Sequence, residues 1–510
     1  MSETKLSEKR PLLNSTNEST KNKPEDNPQI LKRISVQTSS ILGIGTVSVA
    51  FVLKAGGLIL GLLILIVSAM LSQYTLRLLA KCAKIYRIQT YGDLASLTFG
   101  KKGKRFTTFI IFLLCMGSQI GYIRFLGDSL PDLVSSYAGN GLSKDSIWRD
   151  EKWLVTFASL VIIYPLCLVK QITKLSFTSA LGVSAATWTM VATVIEGCRH
   201  FSKDSFDAHE IKYFHFSIEI FLALPIATFA FICHTALFPV LKGLKQPIEK
   251  RSNIITGSAI GISFTVYSII SLFGYFIFFN KTDGDLLNSF SKSSGIANSA
   301  RIAMSITMCF ISPVFFFVTR DAYVETFMPK TQELKGWKFF VISTVLFAIT
   351  LIGSLYVPNI VVAFDLTSAI AGSLVMFSLP ALFYLKLRYI EVKFPDFASY
   401  KSGNKMNLKQ IDSRDSESDS ENILEVSEID SIIKDEDDKN MKKDTNENEY
   451  TKILNALSKQ LKKKNFHKFT VDFMKFSKPF LVPVLIFIFG IVTGVVCTIA
   501  TIISIVENKN

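Results

Sequence analysis

Apolar and polar residues alternate along this chain in long blocks. The apolar blocks recur from Ile34 to Val506, and each holds about 20 residues. A bilayer core of roughly 30 Å takes about 20 residues of helix, so each block is long enough to cross a membrane. Inside hydrocarbon every backbone polar group must be paired within the protein, which restricts such segments to helices or barrel strands. Blocks this long and evenly apolar predict helices.

The blocks predict an all-α integral membrane fold with about eleven transmembrane helices. The predicted spans lie near residues 34–54, 58–80, 106–128, 153–169, 173–197, 217–241, 254–279, 300–327, 338–357, 360–388 and 480–506. The stretch after the second span carries eight basic residues and one acid, whereas the stretch between the third and fourth spans is balanced. By the positive-inside rule the amino terminus is then cytosolic, and an odd number of spans leaves the carboxyl terminus on the other side.

The chain divides into four parts. Residues 1–33 form a polar cytosolic tail with too little apolar area to fold alone, and residues 34–388 form a ten-helix membrane core. Residues 389–479 form a cytosolic insert that is acidic first and basic later, and residues 480–506 form the eleventh helix. The basic part of the insert either lies on the anionic cytosolic leaflet or is a solvated linker.

Composition excludes several classes of protein. Hydrophobic residues make up 49% of the chain, and the formal net charge is +14. Because the basic residues lie in short loops beside the spans, they are explained by membrane orientation, and no nucleic-acid partner is predicted. No phosphate-binding loop, zinc ligand cluster or Ser/His/Asp set occurs, so the sequence predicts neither an enzyme nor a bound metal or organic cofactor.

Small and polar residues occupy the middle of the first span. The stretch from Ser39 to Thr46 holds two glycines and three hydroxyl residues. Glycine weakens a helix by about 1 kcal/mol relative to alanine, which favours a break in this helix. Small residues also let helices pack closely in a bilayer, so close packing stays open as the other explanation.

The sixth span contains a matching interruption. It holds Pro225, Cys233, His234, Thr235 and Pro239, and proline both removes a backbone donor and kinks a helix. With five spans per half, the first and sixth spans occupy corresponding positions. Such a pair of interrupted helices indicates a midplane binding site, where half-helix amino termini face a carboxylate and freed carbonyls face an ammonium group or a cation.

Several sequence blocks together carry a family resemblance. They are Gly43-Ile44-Gly45 with Gly57, Tyr91-Gly92-Asp93-Leu94, Gly127-Asp128-Ser129-Leu130-Pro131, Phe229-Ala230-Phe231-Ile232-Cys233-His234 with Pro239, Pro313 with Arg320, and Leu379-Pro380-Ala381-Leu382-Phe383-Tyr384-Leu385. The chain resembles the amino acid and auxin permeases, in particular the neutral amino acid transporters of lysosomes, vacuoles and plasma membranes. The resemblance implies a fold similar to that of the bacterial leucine transporter, with a 5+5 inverted repeat plus one extra helix.

The resemblance also implies a function, which is secondary active transport of neutral amino acids by alternating access. An amino acid sensor with little flux at an endolysosomal membrane is the alternative, and a sorting adaptor or signalling partner is expected at the cytosolic tail. The candidate substrate-binding residues come from the two interruptions and are Ser40, Gly43, Ile44, Gly45, Thr46, Phe229, Phe231, Cys233 and His234.

The expected coupling ion is a proton or a sodium ion. The candidate ion-coupling residues are Ser39, Leu42, Thr307, Ser312 and His234. Sodium-coupled members of the resembled family carry asparagine at the position of Ser39 and commonly threonine at that of Ile311, so this chain lacks two of the expected oxygens. That difference favours protons, and His234 supplies a group that titrates at roughly pH 6.5.

Ionisable residues within or beside the spans are the remaining candidates. Asp128, Glu196, Glu219, Asp321 and Asp365 all lie near predicted span ends, where we expect most to reach the interface or cap a loop. Asp365 and His234 are the two for which a functional role is expected.

Two short motifs bear on location. Glu8-Lys9-Arg10-Pro11-Leu12-Leu13 resembles the acidic dileucine signal for endosomes, lysosomes or vacuoles, which favours those membranes over the plasma membrane. The sequon Asn280-Lys281-Thr282 falls on the predicted lumenal side and is a candidate glycosylation site at Asn280.

The sorting motif gives a first prediction. Replacing Leu12 and Leu13 by alanine is expected to move a fluorescently tagged chain from an acidic organelle to the cell surface, because the motif loses its two apolar anchors. Microscopy with an organelle marker measures the shift. A matched replacement of Leu6 by alanine, outside the motif, is expected to leave the distribution unchanged, and unchanged organellar fluorescence in the double variant would contradict the motif's role.

Overall fold

The structure is a computed structural model of the full chain. It describes residues 27–43, 45–86, 88, 90–138, 146–169, 178–203, 208–242, 244, 248–328, 336–393 and 481–507. Within these ranges the regular secondary structure is helical and no strand occurs, which confirms the predicted all-α class. The sorting motif at residues 8–13, Ile44 and residues 394–479 of the predicted insert lie outside the described residues.

The longer helices are numbered here in chain order. They are α1 (Asn27–Ile41), α2 (Gly45–Tyr86), α3 (Tyr91–Ala138), α4 (Glu151–Ala158), α5 (Tyr164–Cys167), α6 (Thr178–Lys203), α7 (Ile220–Ala230), α8 (His234–Leu241), α9 (Ile248–Phe278), α10 (Leu286–Ser289), α11 (Gly295–Phe327), α12 (Gly336–Tyr356), α13 (Ile360–Thr367), α14 (Leu379–Lys393) and α15 (Leu481–Glu507). Short 3-10 turns occur at Ile147–Arg149, Ala208–Glu210 and Phe279–Lys281, and π-helical turns at Ser159–Ile163, Ser368–Gly372 and Leu374–Ser378.

Nine helical segments of the described part are long and apolar enough to cross a membrane. Two predicted spans are missing from that set because their helical stretches are short. The first span consists of α1 and the start of α2, separated by a break after Ile41. The fourth consists of α4, a π-helical turn and α5. Together with these two, the eleven predicted membrane segments are present as helices.

A separate helical segment precedes the third span. The predicted span starts near residue 106, and α3 reaches back to Tyr91 only across a sharp turn at the non-helical Gly100, where φ is 68°. Tyr91 is buried, and its hydroxyl donates to the carbonyl of Val375 at 2.8 Å. The edge of its ring packs on Phe238 and Phe383. The Tyr-Gly-Asp-Leu block therefore belongs to a packed helical turn and is not part of an exposed loop.

Helix contacts follow the predicted two-repeat arrangement. The most extensive helix pairs are α3 with α11 and α2 with α9. The first pair joins the third span to the eighth, and the second joins the seventh span to α2, which holds the second span and the end of the first. The third and eighth spans, and the second and seventh, are equivalent positions in two five-helix halves. A pseudo-twofold relation between the halves brings equivalent helices together at the centre in this way.

Ion pairs group the helix ends by side. On one side, Lys84 pairs with Glu249 at 3.5 Å, and Lys104 pairs with Glu325 at 2.5 Å. These residues come from the ends of the second, seventh, third and eighth spans, all of which were predicted to face the cytosol.

The opposite side has its own pairs. Lys54 lies 3.8 Å from Glu219, and Lys292 lies 2.7 Å from Asp132. They join the end of the first span to the start of the sixth, and the end of the third span to the segment before the eighth. Asn280 is exposed on this side in the turn after α9, so its predicted glycosylation remains open to test.

A backbone-paired turn joins the outer ends of the first and sixth spans. Gly57 has φ 78°, and the adjacent amides of Leu58 and Ile59 donate to the carbonyls of Lys212 at 2.8 Å and Tyr213 at 2.9 Å. A Cβ on Gly57 would lie 2.5 Å from the carbonyl oxygen of Lys212. Only glycine fits this left-handed, close-packed position.

The turn gives a stability prediction. Gly57→Ala is expected to lower the free energy of unfolding by about 1–3 kcal/mol or more, because it adds left-handed strain to a steric clash. Thermal unfolding in detergent measures the loss. Gly261→Ala is the matched control, since its Cβ would meet nothing within 4 Å on α9. A Gly57→Ala midpoint equal to that of the control would contradict the assignment.

Candidate functional site

Two helix breaks face each other at the centre of the bundle. The first lies between Ile41, where α1 ends, and Gly45, where α2 begins. The second lies between Ala230, where α7 ends, and His234, where α8 begins. The breaks predicted from glycine and proline in the first and sixth spans are thus present. Helix ends leave backbone N–H and C=O groups without intrahelical partners, so each break exposes polar backbone inside the membrane.

Tyr267 of α9 connects the two breaks. Its hydroxyl lies 2.6 Å from the carbonyl oxygen of Ile41 and 3.2 Å from that of Ala230, the last residues of α1 and α7. The side chain is fully buried. A single hydroxyl therefore satisfies backbone carbonyls from both interrupted helices, which fixes their distance from each other.

The two glycines of the first break have different surroundings. A Cβ on Gly45 would lie 2.9 Å from Ala230 Cα and 3.0 Å from the Tyr267 hydroxyl. A Cβ on Gly43 would have only the Tyr122 hydroxyl near it, at 3.7 Å. Gly45 thus lets the first break approach the second, whereas Gly43 borders a less crowded side of the break.

Side chains from α1 and α2 hold the second break. Ser72 donates to the carbonyl of Phe231 at 2.9 Å, and Gln37 Nε2 donates to the carbonyl of Cys233 at 3.3 Å. Thr75 Oγ1 lies 2.9 Å from His234 Nε2. His234 is fully buried and belongs to this hydrogen-bonded support, whatever further role it has.

Aromatic side chains surround the region between the breaks. Phe229 stacks on Phe364 of α13 with 4.7 Å between ring centroids, and Tyr122 meets Phe315 edge to face at 5.1 Å. Phe364 in turn packs against Gly121, where any side chain would collide with the ring. None of these lining groups is charged.

Two hydroxyls of the predicted ion-coupling set donate within their own helices. The Ser39 hydroxyl donates to Val36 O at 2.9 Å, and the Thr307 hydroxyl donates to Ala303 O at 2.9 Å. A Cβ on Gly182 of α6 would lie 3.5 Å from Ile311 Cδ1 and 3.8 Å from the carbonyl oxygen of Leu42.

One oxygen of that predicted set is without a partner among the described residues. Ser312 is fully buried, and its hydroxyl makes no hydrogen bond there. Ile311 and the Leu42 carbonyl thus both lie near Gly182, and the Ser312 hydroxyl belongs to the residue that follows Ile311 in α11.

The other predicted substrate residues lie at the same centre. Ser40 donates its hydroxyl back to Val36 O at 2.9 Å within α1. Thr46 is buried at the start of α2, and its amide donates to Gly43 O at 3.1 Å. Phe231 is buried with its ring edge against Tyr267 at 5.4 Å.

Asp365 is deeply buried although it lies near a predicted span end. It was one of the two ionisable residues singled out for a functional role, and its side chain is 1% exposed. The start of the tenth span is covered by α3, α7 and α15 in the folded bundle. Asp128 behaves differently, since it pairs with Arg124 at 2.6 Å.

Sequence reasoning missed the residues that hold the breaks in place. Tyr267, Ser72, Thr75 and Tyr122 lie inside apolar blocks, and their hydroxyls mark them as groups that need partners in hydrocarbon. That signal was available for Tyr267, which lies in the middle of the seventh span. The identity of the partners was not available, because carbonyls at helix breaks have no residue-type signature.

An all-α membrane bundle with two facing helix breaks defines the class of secondary transporters built on interrupted helices. Residues 29–395 match the family model described as transmembrane amino acid transporter protein, which is more than half of the chain. The chain belongs to the transmembrane amino acid transporter family.

Solved transporter structures resemble the chain at low identity. A sodium-coupled sialic acid symporter in a substrate-bound outward-open state is 13% identical with a TM-score of 0.45, over 70% of this chain and 78% of that one. A nucleobase-cation-symport-1 family transporter in a closed conformation with bromovinylhydantoin bound is 11% identical with a TM-score of 0.45, over 73% and 86%. A manganese transporter from Eremococcus coleocola is 12% identical with a TM-score of 0.39, over 94% and 95%.

The contact of Gly45 with the second break gives a functional prediction. Gly45→Ala is expected to reduce amino acid uptake by about tenfold or more, since overpacking costs about 1–3 kcal/mol in the conformation that brings the breaks together. Uptake into proteoliposomes, normalised to inserted protein, measures it. Gly257→Ala is the control, because its nearest contact would be Gln73 at an ordinary 3.6 Å. Full uptake by Gly45→Ala would show that the close approach is dispensable.

Proposed function

We propose that the chain is a secondary active transporter of small neutral amino acids that works by alternating access. The observation that carries this proposal is the pair of facing helix breaks joined through Tyr267. The break at Gly43 to Gly45 offers a helix amino terminus to the substrate carboxylate, and carbonyls freed at the two breaks and not bound by Tyr267 offer acceptors to its ammonium group.

The surroundings of the breaks support a neutral substrate. Phe229, Phe364, Tyr122 and Phe315 supply apolar and aromatic surface with no charge to pair an acidic or basic side chain. An unpaired charge in such an environment costs several kcal/mol or more, so charged substrates are disfavoured. The crowded rings also favour small side chains.

Alternating access requires α1 and α8 to separate at the end that carries Arg33. There the Arg33 guanidinium donates to the carbonyls of Val240 and Lys242, the latter at 3.0 Å. Ile30 and Ile34 of α1 pack on the same apolar cluster as Val240. In the proposed cycle these contacts break when the site opens to this side, and the Tyr267 bridge changes its partners.

Protons are the proposed driving ion. The Ser39 and Thr307 hydroxyls donate within their own helices, and Ile311 supplies no oxygen where sodium-coupled members of the resembled family commonly carry threonine, which disfavours sodium. We further propose a cytosolic amino terminus and an acidic endolysosomal or vacuolar membrane, on the basis of the basic residues after the second span and the Glu8 to Leu13 motif. An acidic lumen would supply the gradient.

Reconstitution tests the proposal. Full-length protein in proteoliposomes is expected to show saturable counterflow of neutral amino acids and not of acidic or basic ones. With choline replacing sodium, a gradient of one pH unit is expected to drive accumulation up to about tenfold, because one proton carried per neutral substrate transfers that free energy. Binding without flux would support a sensor instead. Accumulation that requires sodium at every pH would contradict proton coupling.

A further inference from the structure

Asp365 is a carboxyl group sealed inside the membrane-spanning bundle. It lies in α13, five residues after the start of that helix, and its side chain is 1% exposed. Neither carboxylate oxygen has a hydrogen-bond or ion-pair partner among the described residues. An ionised carboxylate in such a place would be neither solvated nor paired, and burial of an unpaired charge is strongly unfavourable. The group is therefore neutral, with a proton bound, in this conformation.

The helix around Asp365 is irregular and closely covered. Directly after α13 the chain forms the π-helical turns Ser368–Gly372 and Leu374–Ser378, and such turns are frequent at functional sites. Helix α15 lies against them through its small residues. A Cβ on Gly494 would lie 2.9 Å from the carbonyl oxygen of Ala369 and 2.8 Å from the Ser373 hydroxyl. The eleventh helix is thus pressed against the tenth span beside the buried carboxyl.

The described groups packed around Asp365 and its neighbours in α13 are uncharged. From α15 the titratable neighbour is the buried Cys497 thiol. From α3, Gly117 lies against Thr367 and Gly121 against Phe364, and from α7 the ring of Phe229 stacks on Phe364. No cation among these groups would stabilise the ionised form of Asp365, so a bound proton is what neutralises the carboxylate charge inside the bundle.

Asp365 is also linked to the substrate site by its neighbour in the chain. Phe364 stacks on Phe229 at 4.7 Å, and Phe229 immediately precedes Ala230, the last residue of α7 at the second break. A shift of α13 or α7 during opening therefore moves the Phe229 ring at the substrate site, and it changes the packing that buries Asp365 at the same time.

We propose that Asp365 is the proton-binding site of the transport cycle. The carboxylate takes one proton from the acidic side, carries it as the neutral acid through the occluded conformation, and releases it on the other side when the tenth span separates from its neighbours. One proton is bound and one is released in each cycle, with no other bond changed. This inference rests on the proposed proton-coupled transport, and it assigns to Asp365 the role for which His234 was the candidate from the sequence.

The test compares accumulation with exchange in proteoliposomes. Asp365→Asn keeps the size of the side chain and mimics the neutral acid permanently. It is expected to retain counterflow within about twofold of the unaltered protein, while accumulation driven by one pH unit falls from up to about tenfold to about onefold. Asp93→Asn is the matched control, because Asp93 is a partly exposed partner of Lys104 at 3.2 Å and its loss is expected to leave coupling intact.

The outcomes separate this inference from the proposed function. Failure of the unaltered protein to use a pH gradient, with counterflow present, would overturn proton coupling itself. Gradient-driven accumulation by Asp365→Asn equal to that of the unaltered protein would overturn the Asp365 assignment and leave proton coupling standing. If His234→Gln loses gradient-driven accumulation and Asp365→Asn keeps it, the Asp365 assignment would also be overturned, and His234 would be the proton-binding residue.

A second variant covers the case in which Asp365→Asn loses counterflow as well. Asp365→Glu keeps a titratable carboxyl on a longer side chain in the same packed position. It is expected to keep gradient-driven accumulation, with its half-maximal pH displaced from that of the unaltered protein. A superimposable pH profile, or loss of both activities in both variants, would assign Asp365 a packing role and overturn the inference.

Discussion

The rest of the structure depends on one constraint, which is that polar backbone groups in hydrocarbon need partners. A helix satisfies this along its length, but the two breaks at the centre of this bundle release carbonyl and amide groups that the helices no longer pair. The Tyr267 hydroxyl, 2.6 Å from Ile41 O and 3.2 Å from Ala230 O, satisfies part of that demand from a third helix. A ligand with a carboxylate and an ammonium group is chemically suited to the backbone amides and carbonyls at the breaks that Tyr267 does not pair.

The close approach of the breaks depends on small residues at the point of contact. Gly45 faces Ala230, so two nearly bare stretches of backbone meet where larger side chains would hold them apart. Around this contact, the aromatic rings of α3, α7, α11 and α13 exclude water. Exclusion of water strengthens each remaining hydrogen bond, and it also makes every uncompensated charge costly.

The spans and the two breaks were predictable because their signals are local. Apolar length gives the spans, and the run from Gly43 to Gly45 together with Pro225 and Pro239 marks helices that cannot stay regular. The supporting contacts were not predictable, because they depend on which helix face meets which neighbour. Asp365 is the clearest example: its place near a span end does not reveal its burial, because part of its cover comes from α15, more than a hundred positions further along the chain.

The two ends of the interrupted helices are tied together by different kinds of bond. At the end near Gly57, the amides of Leu58 and Ile59 bond directly to the backbone of residues 212 and 213 in a ribbon-like pairing. At the end near Arg33, a long and flexible guanidinium side chain makes the connection to Val240 and Lys242. Backbone pairing is kept only when both paired segments move together, whereas the Arg33 side chain can leave its carbonyl partners by rotating about its own bonds. The two interrupted helices are thus joined by a rigid backbone contact at the Gly57 end and by a releasable side-chain contact at the Arg33 end.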